Sequence, residues 1–140
     1  LPAGTRIQES QRMRQPVNTA TAILVGVAGA SAVALGAFGA HALRGSLDAA
    51  ALATWHTGVE YHFWHALALF VAVVGLPSGR ARAFVIGAFA AGILFFSGSL
   101  YALALGAPRM VGAITPLGGV AFIAGWLALV TALRTGLRSP

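Results

Sequence analysis

The sequence predicts an all-α integral membrane protein, with four transmembrane helices in an up-down bundle joined by short loops. Apolar residues make up 58% of the 140 residues and charged residues only 9%, and the mean hydropathy is +0.82. A soluble domain carries about 25% charged residues, and a short chain exposes a large share of its surface. We therefore expect most of this surface to face lipid.

Charge and cysteine usage exclude several classes of function. The chain has no cysteine, which excludes disulfides, thiolate metal sites and cysteine nucleophiles. All nine basic residues are arginine, and with three acidic residues they give a formal charge of +6. The arginines flank apolar runs instead of forming a stripe with stacking aromatics, so they indicate membrane topology and not nucleic-acid binding.

Four apolar runs, of which the second contains Glu60, define the transmembrane domain, residues 19–134. Each run is about as long as the roughly 20 residues that cross a bilayer, and the predicted spans are about 19–41, 55–76, 83–105 and 112–133. The first run exceeds the apolar region of a secretory signal, about 7–15 residues, so we read it as a retained helix. Residues 1–18 are predicted to be a polar, arginine-containing segment, partly disordered or interfacial, and residues 135–140 a short tail.

Two sites in the sequence carry helix-start signals. Ser46 is suited to cap a helix that starts at Leu47, with Asp48 favourable in its first turn. Thr115 and Pro116 form a good N-cap and first-turn pair at the start of the fourth span.

The arginine distribution predicts the orientation. The ends of the chain and the second loop share one side, with seven arginines against two on the other side. Positive charge favours the cytoplasmic side, so we expect a multi-pass protein of the cell inner (plasma) membrane with both termini cytoplasmic. The seven are Arg6, Arg12, Arg14, Arg80, Arg82, Arg134 and Arg138, and the two are Arg44 and Arg109.

Polar side chains converge on the outer half of the predicted bundle. Counting along the alternating helices places nine candidates there: His41, His56, Glu60, Tyr61, His65, Ser97, Ser99, Tyr101 and Thr115. An ionisable group inside a membrane usually faces the bundle interior or a water-filled cavity and has a partner, which is what we expect of Glu60.

Helical phase divides this cluster in two. His56 and Glu60 are four residues apart and share a face. Glu60 and His65 lie about 140° apart around the helix, so the histidines serve different neighbours. We expect His56 and Glu60 to meet His41 or Arg44, and His65 to meet Ser97, Ser99 or Tyr101.

The chemistry of this cluster is left open by the sequence. Imidazole and carboxylate groups suit a metal ion held by His41, His56, Glu60 and either His62 or His65. A hydrogen-bonded packing network explains the same residues, because two potential ligands on one turn are common by chance. Haem between His41 and His65, a quinone or lipid headgroup site and proton movement are further alternatives. No cofactor is predicted.

Small residues and tryptophans indicate close helix packing. Ala32 with Gly36, and Gly87 with Ala91, are small-xxx-small pairs that let membrane helices approach closely, and we expect intrachain contacts within a monomer. The three tryptophans suit interface anchoring or packing, and Trp55 is the best candidate anchor among Trp55, Trp64 and Trp126.

Four motifs in order resemble one known family. They are GAFGAHAL at residues 36–43, YHFWHALAL at 61–69, FSGSLY at 96–101 and ITPLGG at 114–119. Over residues 20 to 133 the chain resembles a family of small membrane proteins of unknown function that includes bacterial YgdD and human transmembrane protein 256. The resemblance implies a four-span inner-membrane protein without an established activity. It also implies that His62 occupies a position where the family often carries another polar residue, such as Gln.

The sequence favours a protein that is not an enzyme. No Ser/His/Asp spacing, carboxylate pair within one span or phosphate-binding loop is present. We predict an accessory, assembly or organising protein that packs against lipid and a larger membrane complex, with no nucleic-acid partner. The alternative is a ligand-binding or proton-handling protein that uses the polar cluster for a metal, quinone, haem or lipid.

Overall fold

Four long helices account for most of the chain in a computed structural model that describes residues 17–136, with side chains for 17–134. They are α1 (Thr19–His41), α2 (Ala49–Gly75), α3 (Arg80–Ala104) and α4 (Thr115–Gly136). All four spans, the fourth taken as Arg109–Arg134, are long and apolar enough to cross a membrane, and the described part of the chain contains no strand. The predicted fold class is confirmed. The predictions for the N-terminal segment and the C-terminal tail fall almost entirely outside the described residues.

Side-chain caps fix where α1 and α2 begin. The side chains of Asn18 and Asp48 each accept a hydrogen bond of 2.8 Å, from the backbone N–H groups of Thr21 and Ala51 respectively. The prediction that Ser46 caps α2 is wrong, because its hydroxyl donates to the Ala42 carbonyl at 3.3 Å instead. α2 therefore begins after Asp48 and extends over 27 residues.

A π-helical turn interrupts α3. Residues Arg80–Gly92 and Gly98–Ala104 are α-helical, and Ile93–Ser97 between them form the π turn. The N–H of Gly98 bonds to the carbonyl of Ile93, five residues back. Such single turns admit an extra residue into an α-helix, so the two halves of α3 do not follow one continuous helical phase.

The start of α4 differs from the sequence expectation. A short 3₁₀ helix, Arg109–Ala113, precedes it, and α4 begins at Thr115 itself. The first backbone bonds of the helix are accepted by the Ile114 carbonyl. Thr115 is therefore the first helical residue and not the cap, which leaves its hydroxyl free to bond outside its own helix.

α2 and α3 form the centre of the bundle. α1 packs mainly on α2, and α4 packs mainly on α3, while α2 and α3 pack on each other. The larger apolar core lies where α2, α3 and α4 meet and includes Leu69, Ala72, Val85, Phe89, Phe122 and Leu129. A smaller core gathers around Trp55 between α1, α2 and the end of α3.

Glycines let aromatic rings approach the neighbouring helix. Gly92 faces the ring of Phe122, Gly125 faces Phe89, and Gly118 lies directly against the backbone of Phe96. The expectation for Ala32 and Gly36 is met inside the chain, since Ala32 is buried and Gly36 faces Val59 of α2. Gly87, in contrast, is exposed and has no neighbour in the space that a Cβ would take.

Candidate functional site

His62 joins three helices through one chain of hydrogen bonds. Its Nδ1 lies 3.1 Å from the Tyr101 hydroxyl of α3, and its Nε2 lies 3.3 Å from Ser31 Oγ of α1. Ser31 Oγ donates to the Val27 carbonyl at 2.6 Å. One neutral arrangement fits: Tyr101 donates to Nδ1 and Nε2–H donates to Ser31.

These hydrogen bonds of His62 lie at mid-height in the bundle. Ser31 is 12 residues from Thr19 and 10 residues from His41, the two ends of α1. At 1.5 Å per residue these separations are about 18 and 15 Å. The apolar core of a bilayer is about 30 Å thick, so His62 and Ser31 meet close to its middle.

His65 forms a second polar contact on another side of α2. The Trp126 indole N–H of α4 donates to His65 Nε2 at 3.2 Å. His65 Nδ1–H therefore donates to the Tyr61 carbonyl, 2.7 Å away. The imidazole also stacks on the Phe122 ring, with centroids 3.4 Å apart and planes 12° apart. Both ring nitrogens are thus engaged, and the residue ties α2 to α4.

Ser99 and Ser97 differ although both are buried on α3. Ser99 Oγ donates to the Phe96 carbonyl at 2.8 Å and accepts from the Thr115 hydroxyl of α4 at 2.6 Å. Ser97 is fully buried, and its hydroxyl has no hydrogen-bond partner in the structure. It is the last residue of the π turn.

The structure rearranges the contacts expected for His65. We expected it to meet Ser97, Ser99 or Tyr101, and it meets Trp126 and Phe122 of α4 instead. Tyr101 pairs with His62, three residues earlier on α2. The expectation assigned Tyr101 to the wrong histidine, and neither Ser97 nor Ser99 bonds to a histidine.

Three predicted members of the cluster lie apart from it. His41, His56 and Glu60 are exposed, and the structure gives none of them a hydrogen bond or ion pair within residues 17–134. The expectation that Glu60 faces the bundle is wrong. Glu60 is two residues from both Gly58 and His62, which are buried, and two residues rotate a helix by about 200°. Glu60 therefore points away from the bundle.

The metal and haem alternatives find no support in this arrangement. No three His, Asp or Glu side chains come together as a metal site among the described residues. His41 ends α1, ten residues or about 15 Å beyond the level of Ser31. His65 lies on the far side of that level, so the two histidines do not stand opposite each other.

Several residues of this site were left out of the predicted polar cluster. Ser31, a single polar residue in an otherwise apolar run, was not considered at all. Trp126 was considered only for interface anchoring or packing, and His62 only as an optional metal ligand. Trp55, the best candidate for an interface anchor, is instead a packing residue: it is 2% exposed, and its indole N–H donates to the Leu35 carbonyl of α1 at 3.0 Å.

Two apolar cavities open beside these histidines. The first, of about 400 Å³, lies between α1 and α3 and has Ser31 and His62 in its lining. The second, of about 450 Å³, lies between α2 and α4 and is lined in part by Tyr61, Trp64, His65 and Trp126. The lining of each cavity thus combines one buried imidazole with mostly apolar side chains.

Comparison with known proteins places this arrangement among membrane proteins. The family model described as "Protein of unknown function (DUF423)" matches residues 35–119. The UPF0382 membrane protein YwdK of Bacillus subtilis is 51% identical over 104 residues, which is 72% of this chain and 85% of that protein. The UPF0382 inner membrane protein YgdD of Escherichia coli is 42% identical over 119 residues, 80% of this chain and 88% of that protein. No solved structure matches the chain.

Proposed function

The chain belongs to the DUF423 family, membrane proteins of unknown function also labelled UPF0382, and from this premise we propose a non-enzymatic accessory protein of the inner membrane. In this role it packs against a larger membrane complex and helps to assemble or organise it. The membership confirms the resemblance to the family of YgdD. No enzymatic activity is attached to the family by its descriptions.

The observation that carries this proposal is the exposed position of Glu60 at membrane depth. Glu60 is two residues, about 3 Å, above the mid-height level of His62, and within the described residues it has no partner. A charged group inside the hydrocarbon costs at least about 2.5–3.5 kcal/mol at a helix centre on insertion scales. A donor from another protein would remove that cost.

The neighbours of Glu60 support a protein partner. Trp64 lies one turn from Glu60 on the same helix and is 60% exposed, although tryptophan usually lies at the membrane interface. Tyr61 beside it is 42% exposed. We name Glu60, Tyr61, Trp64 and Leu67 the α2 face. Aromatic side chains of this kind are enriched where proteins contact each other.

The hydrogen bonds of the other buried polar groups favour a structural role over catalysis. His62 and His65 each use both ring nitrogens in contacts between helices or with their own backbone. A general base needs a nitrogen within reach of the proton that it removes. These side chains act as links between helices, which suits a scaffold.

Site-specific photocrosslinking in native membranes tests the proposal. A photoreactive phenylalanine analogue replaces Trp64 in the full chain, and the adducts are identified by mass spectrometry. The control carries the analogue at Val33 of α1, which is 62% exposed and lies within the hydrocarbon about 6 Å from Trp64 in height. We expect one protein adduct of defined mass from position 64, none from position 33, and loss of the adduct when Glu60→Leu is added.

Three outcomes would contradict the accessory role. Equal adducts at both positions would indicate unspecific contact, and lipid adducts alone would indicate that the α2 face meets only the bilayer. An adduct with a second copy of this chain would replace the larger complex with a homodimer.

We also propose that both termini face the cytoplasm. Arg80, Arg82 and Arg134 lie at one end of the described bundle, and Arg44 and Arg109 at the other, in support of the charge asymmetry. The absence of cysteine permits a clean test with Ser46→Cys and Ser78→Cys. An impermeant maleimide added to intact cells is expected to label position 46 only, and labelling of position 78 alone would invert the topology.

A further inference from the structure

We propose that the cavity between α1 and α3 binds a lipid-soluble carbonyl compound of the quinone class, held by a hydrogen bond from His62. This inference goes beyond the accessory role and does not depend on it, because it concerns the opposite side of α2 from Glu60. The ligand would bind reversibly and accept a hydrogen bond from one imidazole nitrogen.

The shape and lining of the cavity suit an apolar body with one polar end. Its volume is about 400 Å³, and Ala28 of α1 and Ala91 and Leu94 of α3 contribute to its apolar walls. Ser31 and His62 are its polar side chains. Sites for small apolar ligands commonly have this character, with few polar groups that set orientation.

The hydrogen bonds of His62 leave one donor that a ligand can claim. The Nε2···Ser31 Oγ distance of 3.3 Å lies beyond the usual 2.7–3.2 Å range for such bonds. Ser31 keeps its bond of 2.6 Å to the Val27 carbonyl whether or not Nε2–H points to it. A ligand acceptor would therefore exchange a long bond for a normal one, while Tyr101 continues to hold Nδ1.

The depth of His62 selects the class of ligand. Ser31 and His62 meet about 15 to 18 Å from either end of α1. The ester carbonyls of phospholipids stay at the headgroup level, about 15 Å from the middle of a core that is about 30 Å thick. A carbonyl at mid-height must belong to a molecule that lies wholly within the hydrocarbon, as an isoprenoid quinone does.

Direct binding of decylubiquinone to the purified full chain tests the site. The protein is placed in phosphatidylcholine nanodiscs and titrated, and bound quinone is quantified after separation from empty discs. We expect saturable binding at one site per chain. His62→Phe should weaken it about tenfold through loss of one hydrogen bond, while His62→Gln, which keeps an N–H donor, should retain it.

Two further variants test the site if His62→Phe does not fold: one blocks the cavity with a phenylalanine ring and the other places the same ring outside it. Ala91→Phe fills the cavity from α3 and is expected to abolish binding. Ala30→Phe adds the same ring on α1 at the same height, where the side chain is exposed and does not line the cavity, and should leave binding unchanged.

The proposal is overturned by any of three results. Wild-type protein without saturable binding removes the site, and binding that survives Ala91→Phe places the quinone elsewhere. Native mass spectrometry that finds phospholipid retained in the cavity, undisplaced by decylubiquinone, would assign the cavity to acyl chains. The crosslinking result at Trp64 is unaffected by each of these, so the two proposals fail separately.

Discussion

The two helix interfaces on either side of the bundle centre are built by different means. Between α3 and α4, three glycines receive rings or backbone from the opposite helix: Gly92, Gly118 and Gly125. Between α1 and α2, glycine contacts are joined by hydrogen bonds from Trp55 to the Leu35 carbonyl and between His62 and Ser31. The first interface depends mainly on close approach, beside the hydrogen bond between Ser99 and Thr115, and the second depends more on polar pairing.

The difference follows from lipid as the solvent. Lipid tails are as apolar as the side chains, so burial gives little force between helices, and association depends on close packing and on hydrogen bonds. Steric contact at a backbone is unforgiving, whereas one interhelical hydrogen bond in a membrane contributes only about 0.6 kcal/mol on average. We therefore expect the α3–α4 interface to be the more sensitive to single substitutions.

The sharpest test of that expectation is Gly118→Ala. The added methyl would lie within 2.7 Å of the Phe96 Cα, and a backbone cannot move aside as a side chain can. We expect a loss of about 3 kcal/mol, at the upper end for overpacking, measured as the free energy of unfolding in mixed micelles. Gly119→Ala is the control, since its methyl would meet the Phe96 ring at an ordinary 3.8 Å. Equal effects at both positions would remove the argument from close approach.

Gly39→Ala applies the same test to the α1–α2 interface. Its methyl would lie 2.6 Å from the Trp55 Cδ1, and the ring is held by Leu35 and packed on Tyr101. We expect about 2 kcal/mol of destabilisation, because a ring can shift a little where a backbone cannot. Gly29→Ala, with open space around it, should change stability little in the same titration. A larger loss at Gly39 than at Gly118 would reverse the comparison.

His62→Phe measures the polar contribution at the centre of the bundle. The substitution removes bonds to both Ser31 and Tyr101, and at about 0.6 kcal/mol each we expect a loss of about 1 kcal/mol. His62→Gln should recover part of it. Unfolding titrations of both variants and of His62→Phe with Ser31→Ala would show whether the two bonds are coupled. No loss in His62→Phe would mean that packing and the bond from Trp55 to the Leu35 carbonyl hold α1 without His62.

The smallest expected effect separates two buried serines on α3. Ser99→Ala removes the contact with Thr115 and should cost about 0.6 kcal/mol. Ser97→Ala removes a hydroxyl without a partner, so it should leave the stability unchanged or raise it. Unfolding midpoints measured side by side decide the matter, and a greater loss at Ser97 would reveal a bond that this serine makes in the membrane.

The sequence was sufficient for the fold because hydropathy acts on whole runs. Four apolar runs and the arginines between them were enough to predict four spans. The start of α2 was wrong by two residues because Ser46 and Asp48 are both good caps, and sequence alone does not rank two adjacent candidates. Thr115 was wrongly predicted to be the N-cap of α4. Sequence alone does not show that its hydroxyl bonds to Ser99 of α3 instead.

Side-chain partners were harder to predict because they depend on how the helices are rotated. Phase separated Glu60 from His65 correctly, yet it could not show which way α2 faces, and Glu60 was assigned to the bundle. Likewise Tyr101 was matched to His65, when the neighbour across the interface is His62. No pattern in the sequence marks the π turn that rotates the polar end of α3.

Because of that π turn, the number of residues in α3 determines which way its polar side chains face, as well as whether the helix spans the membrane. Ile93–Ser97 add one residue to what would otherwise be a regular α-helical turn. Excision of a single residue there, such as Phe95, would restore a regular α-helix and rotate everything after it by about 100°. Ser99 would then turn away from Thr115, and Tyr101 from His62, in one step. The one extra residue of the π turn, which does not change the hydropathy of the run, thus keeps the polar contacts among α2, α3 and α4 aligned.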